Sequence, residues 1–191
     1  MPTTRADARR NQQAVLDAAL RLFRADPAAT VAQVAAAAGL GRVTLYGHFP
    51  TREALVGAAL SAAVDRARRA LDEAGDDPDP RVALHRMLAA AWPALADGHG
   101  AVAAACRELP AAEVDARHEP VVGPLRAVLE RGVASGAFRD DLPVPWLVAA
   151  VSALVHAAAE QVASGAAAHD AATAHLTASV AAVVAVVGPR G

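Results

Sequence analysis

The chain has 191 residues, 18 basic side chains against 20 acidic ones, and a formal net charge of −2. That length allows one ordinary domain or a small domain joined to a larger one, and the near-zero balance selects no partner class. Cys106 is the only cysteine, which excludes an internal disulfide and suits a reducing compartment. Up to Leu55, seven arginines stand against four acids; beyond it, eleven stand against sixteen. A mildly basic N-terminal part on an acidic remainder is the distribution expected of a small nucleic-acid head on a larger body. There is no lysine, so every side-chain cation other than histidine is a guanidinium, and alanine exceeds a quarter of the residues, which favours helix throughout.

In chain order, residues 1–8 read as a frayed arm with Arg5, Arg9 and Arg10 near its end, either touching phosphate or simply solvated. A first helix is predicted from about Arg9 to Arg24, with Val15, Ala19, Leu22 and Phe23 on one face. Thr30 and Gln33 form a capping-box pattern, and Val31, Val34, Ala35 and Ala38 then follow at helical spacing. Gly39 stands where a left-handed C-cap wants glycine, with Leu40 as its closing apolar contact. The short segment from Arg42 to His48 presents the donors Arg42, Thr44, Tyr46 and His48; Pro50 ends it and Thr51 can cap the next helix. Two short helices joined by a glycine turn, the second rich in donors, form the pattern of a helix-turn-helix, whose second helix enters the DNA major groove.

The run Ala38-Gly39-Leu40-Gly41-Arg42-Val43-Thr44-Leu45-Tyr46-Gly47-His48-Phe49-Pro50-Thr51-Arg52-Glu53-Ala54-Leu55 resembles the helix-turn-helix signature of TetR-family transcriptional regulators. The resemblance implies an all-α fold of about nine helices. A three-helix DNA-binding head (residues 1–50) would be followed by a helical effector-binding and dimerisation body (51–191), in which 51–74 form a bridging helix. It also implies that Thr30, Thr44, Tyr46, His48 and Arg52 contact DNA phosphate, Tyr46 sometimes a base, while Leu45 and Phe49 are core. Arg42, at the start of the recognition helix, could pair with guanine or contact phosphate, and Val43 could meet a thymine methyl. Two departures stand out: Gly41 replaces a frequent Ser, and Gly47 replaces a larger side chain, which leaves fewer side chains to read bases.

Beyond the head, a polar cluster from Gly75 to Pro80 ends the bridging helix. A helix opens at Pro80 or Arg81, and Pro93 is expected to kink or end it. Asp97-Gly98-His99-Gly100 reads as a turn, Ala101–Leu109 as a short helix, and Pro124 as a kink or a late start of the helix that reaches Ser135. Phe138 anchors the following loop. The last two helices, Val144 to about Ser164 and His169 to about Val187, carry apolar residues on more than one face. That suits either a wholly buried pair or a four-helix interface with a symmetry mate; the resemblance implies a homodimer through these helices.

By the same resemblance the body encloses a pocket for a small-molecule effector, with Met87, Trp92, Cys106, Trp146 and His156 as candidate walls, although each could equally be packing and His156 could lie at the dimer seam. The expected activity is sequence-specific DNA binding by a repressor released from a palindromic operator; the alternative is an all-helical dimeric interaction module without DNA. No metal-ligand spacing, nucleophile elbow or phosphate-cradling glycine loop occurs, so neither an enzyme nor a cofactor is expected. With no leader and no long uninterrupted apolar run read from the sequence, a cytoplasmic protein without a membrane segment is expected.

Overall fold

A chain this rich in alanine, with proline and glycine concentrated between periodic segments, should form helices and little else. The computed structural model describes residues 5–186, with side chains from Asp7 onward, and contains eight helices and no strand among them. They are α1 (Arg5–Ala25), α2 (Val31–Ala37), α3 (Arg42–His48), α4 (Arg52–Ala74), α5 (Pro80–Glu108), α6 (Ala111–Ala134), α7 (Val144–Ala163) and α8 (His169–Val184). The all-α expectation holds.

Three sequence expectations about element ends do not hold. The arm of residues 1–8 is helical from Arg5 onward, and residues 1–4 lie outside the described region, as does Val187 at the far end. Asp7 explains part of this, since an acid in the first turn complements the helix dipole and it pairs with Arg10.

The second difference is α5. It runs unbroken through Pro93 and through the glycines read as a turn, so two expected helices are one and the count falls from about nine to eight. Gly98 and Gly100 are there for proximity. A Cβ at Gly98 would lie 2.9 Å from that of Ala63, and one at Gly100 would overlap the Phe23 carbonyl. Glycine lets two backbones approach where any side chain would hold them apart. The third difference is α6, which begins at Ala111 and carries both Pro120 and Pro124 internally rather than starting near Leu125.

The chain divides into two compact units: residues up to Val64 with Asp97–Arg117, and Asp65–Ala96 with the residues from His118. In the first, Val15, Phe23, Val34, Leu45, Phe49, Leu55 and Ala59 are buried together with Ala101, Ala104 and Ala105. Leu45 and Phe49 are core, as the sequence implied. In the second, Leu84, Leu88, Trp92, Leu129, Phe138, Leu147, Val151, Leu176 and Val180 belong to one apolar cluster. Phe138 folds back against α6 because Gly132 has no side chain; a Cβ there would overlap its ring. Helices α7 and α8 pack along each other. By length and composition α7 is long and apolar enough to cross a bilayer, but Ser152, His156, Glu160 and Gln161 interrupt it, so no uninterrupted apolar run arises. Its apolar surplus lies partly on the surface: Trp146 is 64% exposed.

Candidate nucleic-acid interface

The head is built from short helices whose ends are fixed by their own side chains and turns. At the start of α2, the Thr30 hydroxyl accepts from the Gln33 amide at 3.3 Å while the Gln33 carboxamide oxygen accepts from the Thr30 amide at 2.7 Å. This is the capping box read from the sequence. At its end, Gly39 takes φ +69°, and the Leu40 amide reaches back to the Ala35 carbonyl at 3.0 Å while Gly39 donates to Ala36 at 3.1 Å. Those two bonds define a Schellman turn, which a non-glycine residue would strain. The turn sets the direction in which α3 leaves.

Helix α3 is anchored by one buried side chain, Leu45, and presents nearly everything else outward. Arg42 and Thr44 are exposed, Val43 is 88% exposed and Tyr46 47%, and His48 is half-buried beside Phe49. Gly41 caps the helix without a side-chain bond, and nothing lies within 4 Å of where a Cβ on Gly41 or Gly47 would be. The surface is thus a short helix carrying a guanidinium, a hydroxyl, a phenol, an imidazole and an isopropyl group, with no acid of its own.

Arg52 is placed differently from its neighbours in this set. Its Nε donates to Glu108 Oε1 at 2.8 Å, one terminal nitrogen donates to the Pro27 carbonyl at 3.2 Å, and the other donates to the Ala29 carbonyl. Its guanidinium also lies 5.9 Å from the Phe23 ring centroid. One side chain at the start of α4 therefore ties the α1–α2 turn to the end of α5. Thr30 is similarly engaged, its hydroxyl also donating to Gln33 Oε1 at 2.8 Å. Spacing alone does not reveal this brace, because Glu108 is 56 residues away from Arg52. Arg117 is a second brace missed in the sequence: it donates to Ser61 Oγ at 2.8 Å and to the Gly57 carbonyl at 3.3 Å while pairing with Glu113 at 2.7 Å. Only the Glu113–Arg117 part, four residues apart, was readable as a helical pair.

Four of the candidate effector residues, Met87, Trp92, Trp146 and His156, lie in the second unit, where Met87 packs against the apolar cluster that holds Trp92. Trp92 is buried with its indole nitrogen unpartnered, its ring 5.5 Å from that of His169. Met87 lines a cleft of about 300 Å³ together with Arg68, Asp72, Asp76 and Arg131. Cys106 is exposed and belongs to the other compact unit. Trp146 and His156 lie on the surface of α7, His156 edge-on to His118 at 6.4 Å. Among the described residues, no group of three or more His, Cys, Asp or Glu could hold a metal ion.

An all-helical chain with a helix-turn-helix whose second helix is outward-facing defines the class. Residues 15–59 match the family described as bacterial regulatory proteins, tetR family. The HTH-type transcriptional repressor LfrR of Mycolicibacterium smegmatis is 34% identical over 89 residues, 46% of this chain and 47% of that protein. The chain therefore matches about half the length of that relative. Over the full fold, the solved structure of LfrR from Mycobacterium smegmatis in complex with proflavine superposes with a TM-score of 0.73 at 26% identity, covering 92% of this chain and 97% of that one. FadR of Bacillus halodurans, a fatty acid degradation regulator, gives 0.74 at 17% identity, covering 91% and 94%, and so shares the fold alone. Residues 15–59 thus match the TetR family, and the described chain has the fold of solved TetR-like regulators.

Proposed function

We propose that this chain is a transcriptional repressor that binds a palindromic DNA operator as a homodimer and releases it on binding a small-molecule effector, and that it acts in the cytoplasm rather than in a membrane. The observation that carries the reading is α3: an acid-free, outward-facing helix of donors held at a fixed angle by a Schellman turn. Residues 1–50 form the DNA-binding part and 51–191 the effector-binding and dimerisation part, with 51–74 as the bridging helix. Arg42 and Val43, both exposed at the start of α3, read base edges; Thr44, Tyr46 and His48 hold phosphate, with Tyr46 able to reach a base. Thr30 and Arg52 fix the starts of α2 and α4; the Thr30 hydroxyl would have to leave Gln33 to donate to phosphate, whereas Arg52 uses three of its five N–H groups in the bonds described above.

Dimerisation uses the outward faces of α7 and α8, where Trp146 and a series of exposed alanines leave apolar surface that a symmetry mate would cover. The effector reading draws on relatives: LfrR was solved with proflavine, and FadR of Bacillus subtilis with stearoyl-CoA. The orphaned Trp92 indole N–H in the core of the second unit is a donor that a ligand acceptor would satisfy.

Gel shifts with the promoter DNA flanking the chain's own gene test the reading. Salt-dependent, sequence-selective retardation is expected, lost selectively in Arg42→Ala if that guanidinium reads a base. Equal, weak binding to every DNA at low salt would instead favour an interaction module for which DNA is irrelevant.

A further inference from the structure

The second unit carries an open groove of about 360 Å³ that none of the sequence candidates line. Helix α5 contributes Arg81, Leu84, His85 and Leu88, spaced i, i+3, i+4 and i+7, so that one helical stripe alternates two cationic or protonatable groups with two leucines. Across the groove α8 supplies Val180 and Val184, and Phe138 is part of the lining. The wall is apolar apart from Arg81, His85 and Thr177. No carboxylate lines it. Asp79, two residues before Arg81, is engaged as the α5 cap, accepting from the Arg81 amide at 2.8 Å. The Arg81 guanidinium has no partner among the described residues, and the first turn of α5 adds its own positive end to the same mouth.

We propose that this groove binds an amphipathic anion, a medium-length alkyl chain ending in a carboxylate. Hydrocarbon lies along Leu84, Leu88, Phe138, Val180 and Val184, and the carboxylate meets Arg81 and His85. Size supports the class: at about 30 Å³ per water-sized group, the groove holds on the order of a dozen non-hydrogen atoms, which is the size of decanoate. Charge decides the head group. An alkylammonium would face a cation and a helix N-terminus with no carboxylate to meet it, whereas an arginine fork accepts a carboxylate through two parallel bonds. That such a ligand serves as the effector rests on the repressor reading; the site itself does not.

The test uses the full chain without DNA and three probes with ten-carbon chains, decanoate, decanol and decyltrimethylammonium, each kept below its micelle-forming or solubility limit. Calorimetric titration should rank them in that order. Arg81→Glu with His85→Glu, both at exposed positions, should weaken decanoate by about tenfold or more and favour the ammonium probe. Ala181→Phe, which places a ring in the groove from an exposed position, should abolish binding of all three. Equal affinity for the three probes, or decanoate binding unchanged in both variants, would overturn the proposal. Release of promoter DNA by decanoate is read separately: binding without release keeps the site and removes its effector role, whereas no binding removes the site and leaves the repressor reading untouched.

Discussion

Two glycines that look alike in the sequence have opposite physical roles. Gly47 lies inside α3 with nothing within 4 Å of the place a methyl group would occupy and no positive φ, so the fold does not require it. Gly47→Ala should stabilise the chain by about 0.5–1 kcal/mol through helix propensity, raising the melting temperature by about 2 °C. Because position 47 is one turn from Val43 on the proposed reading face, the same methyl should lower operator affinity in a gel shift. A variant that melts higher and binds as well as the parent would show that Gly47 does not serve recognition. Gly100 is the reverse case. A Cβ there meets the Phe23 carbonyl, which is backbone and cannot rotate away. Gly100→Ala should cost about 3 kcal/mol or more by overpacking, visible as a large drop in the urea midpoint. Nothing in the sequence separates these glycines; the neighbour that makes Gly100 indispensable is Phe23, far away in the chain.

At the scale of elements, the arginine braces set which helix ends are held. Arg52 links the α1–α2 turn to Glu108, with both side chains about three-quarters buried. Arg52→Ala should destabilise the chain by about 2 kcal/mol, since it leaves Glu108 and two carbonyls without their charged donor. Circular dichroism melts of Arg52→Ala, Glu108→Gln and the double variant would measure the coupling; strictly additive losses would show that the pair does not interact. The loop between α4 and α5 is held differently. Arg131 donates to both Asp76 carboxylate oxygens, at 2.7 and 2.8 Å, and this bond holds the Asp76 carboxyl below the ordinary aspartate value. A depressed folded value means the stabilisation is present above the ordinary aspartate range and is lost as pH falls through the folded value. The pair is largely exposed, so the effect is small and salt-sensitive. Arg131→Gln should therefore differ from the parent near neutrality in low salt, and the difference should shrink in acid and in high salt. These elements also show what was legible. The α2–α3 turn could be read because Thr30, Gln33 and Gly39 act on neighbours within a few residues. The course of α5 could not, since Pro93 and the two glycines carry local helix-breaking signals that distant packing partners override.

At the scale of the whole molecule, the open question is what covers the outward faces of α7 and α8. On α7, Trp146, Ala149, Ala153 and Ala157 are exposed, each three or four residues from the next; on α8, Ala174, Ala178 and Ala182 are exposed four apart. Small residues at such spacing let helices approach closely, and α7 is otherwise more apolar than a solvated surface helix needs to be. A two-fold partner would bury both faces and would supply the second recognition helix that a palindromic operator needs. Ala153→Arg places a guanidinium in the middle of the α7 series without touching the core of its own protomer. Light scattering should show a dimer for the parent at micromolar concentration and a monomer for the variant, with unchanged helical circular dichroism. Operator affinity should then fall by about 10²-fold or more, because the second half-site contact is no longer effectively intramolecular. If Ala153→Arg remains dimeric, the interface lies elsewhere. If it becomes monomeric but binds the operator undiminished, DNA recognition does not depend on pairing two heads.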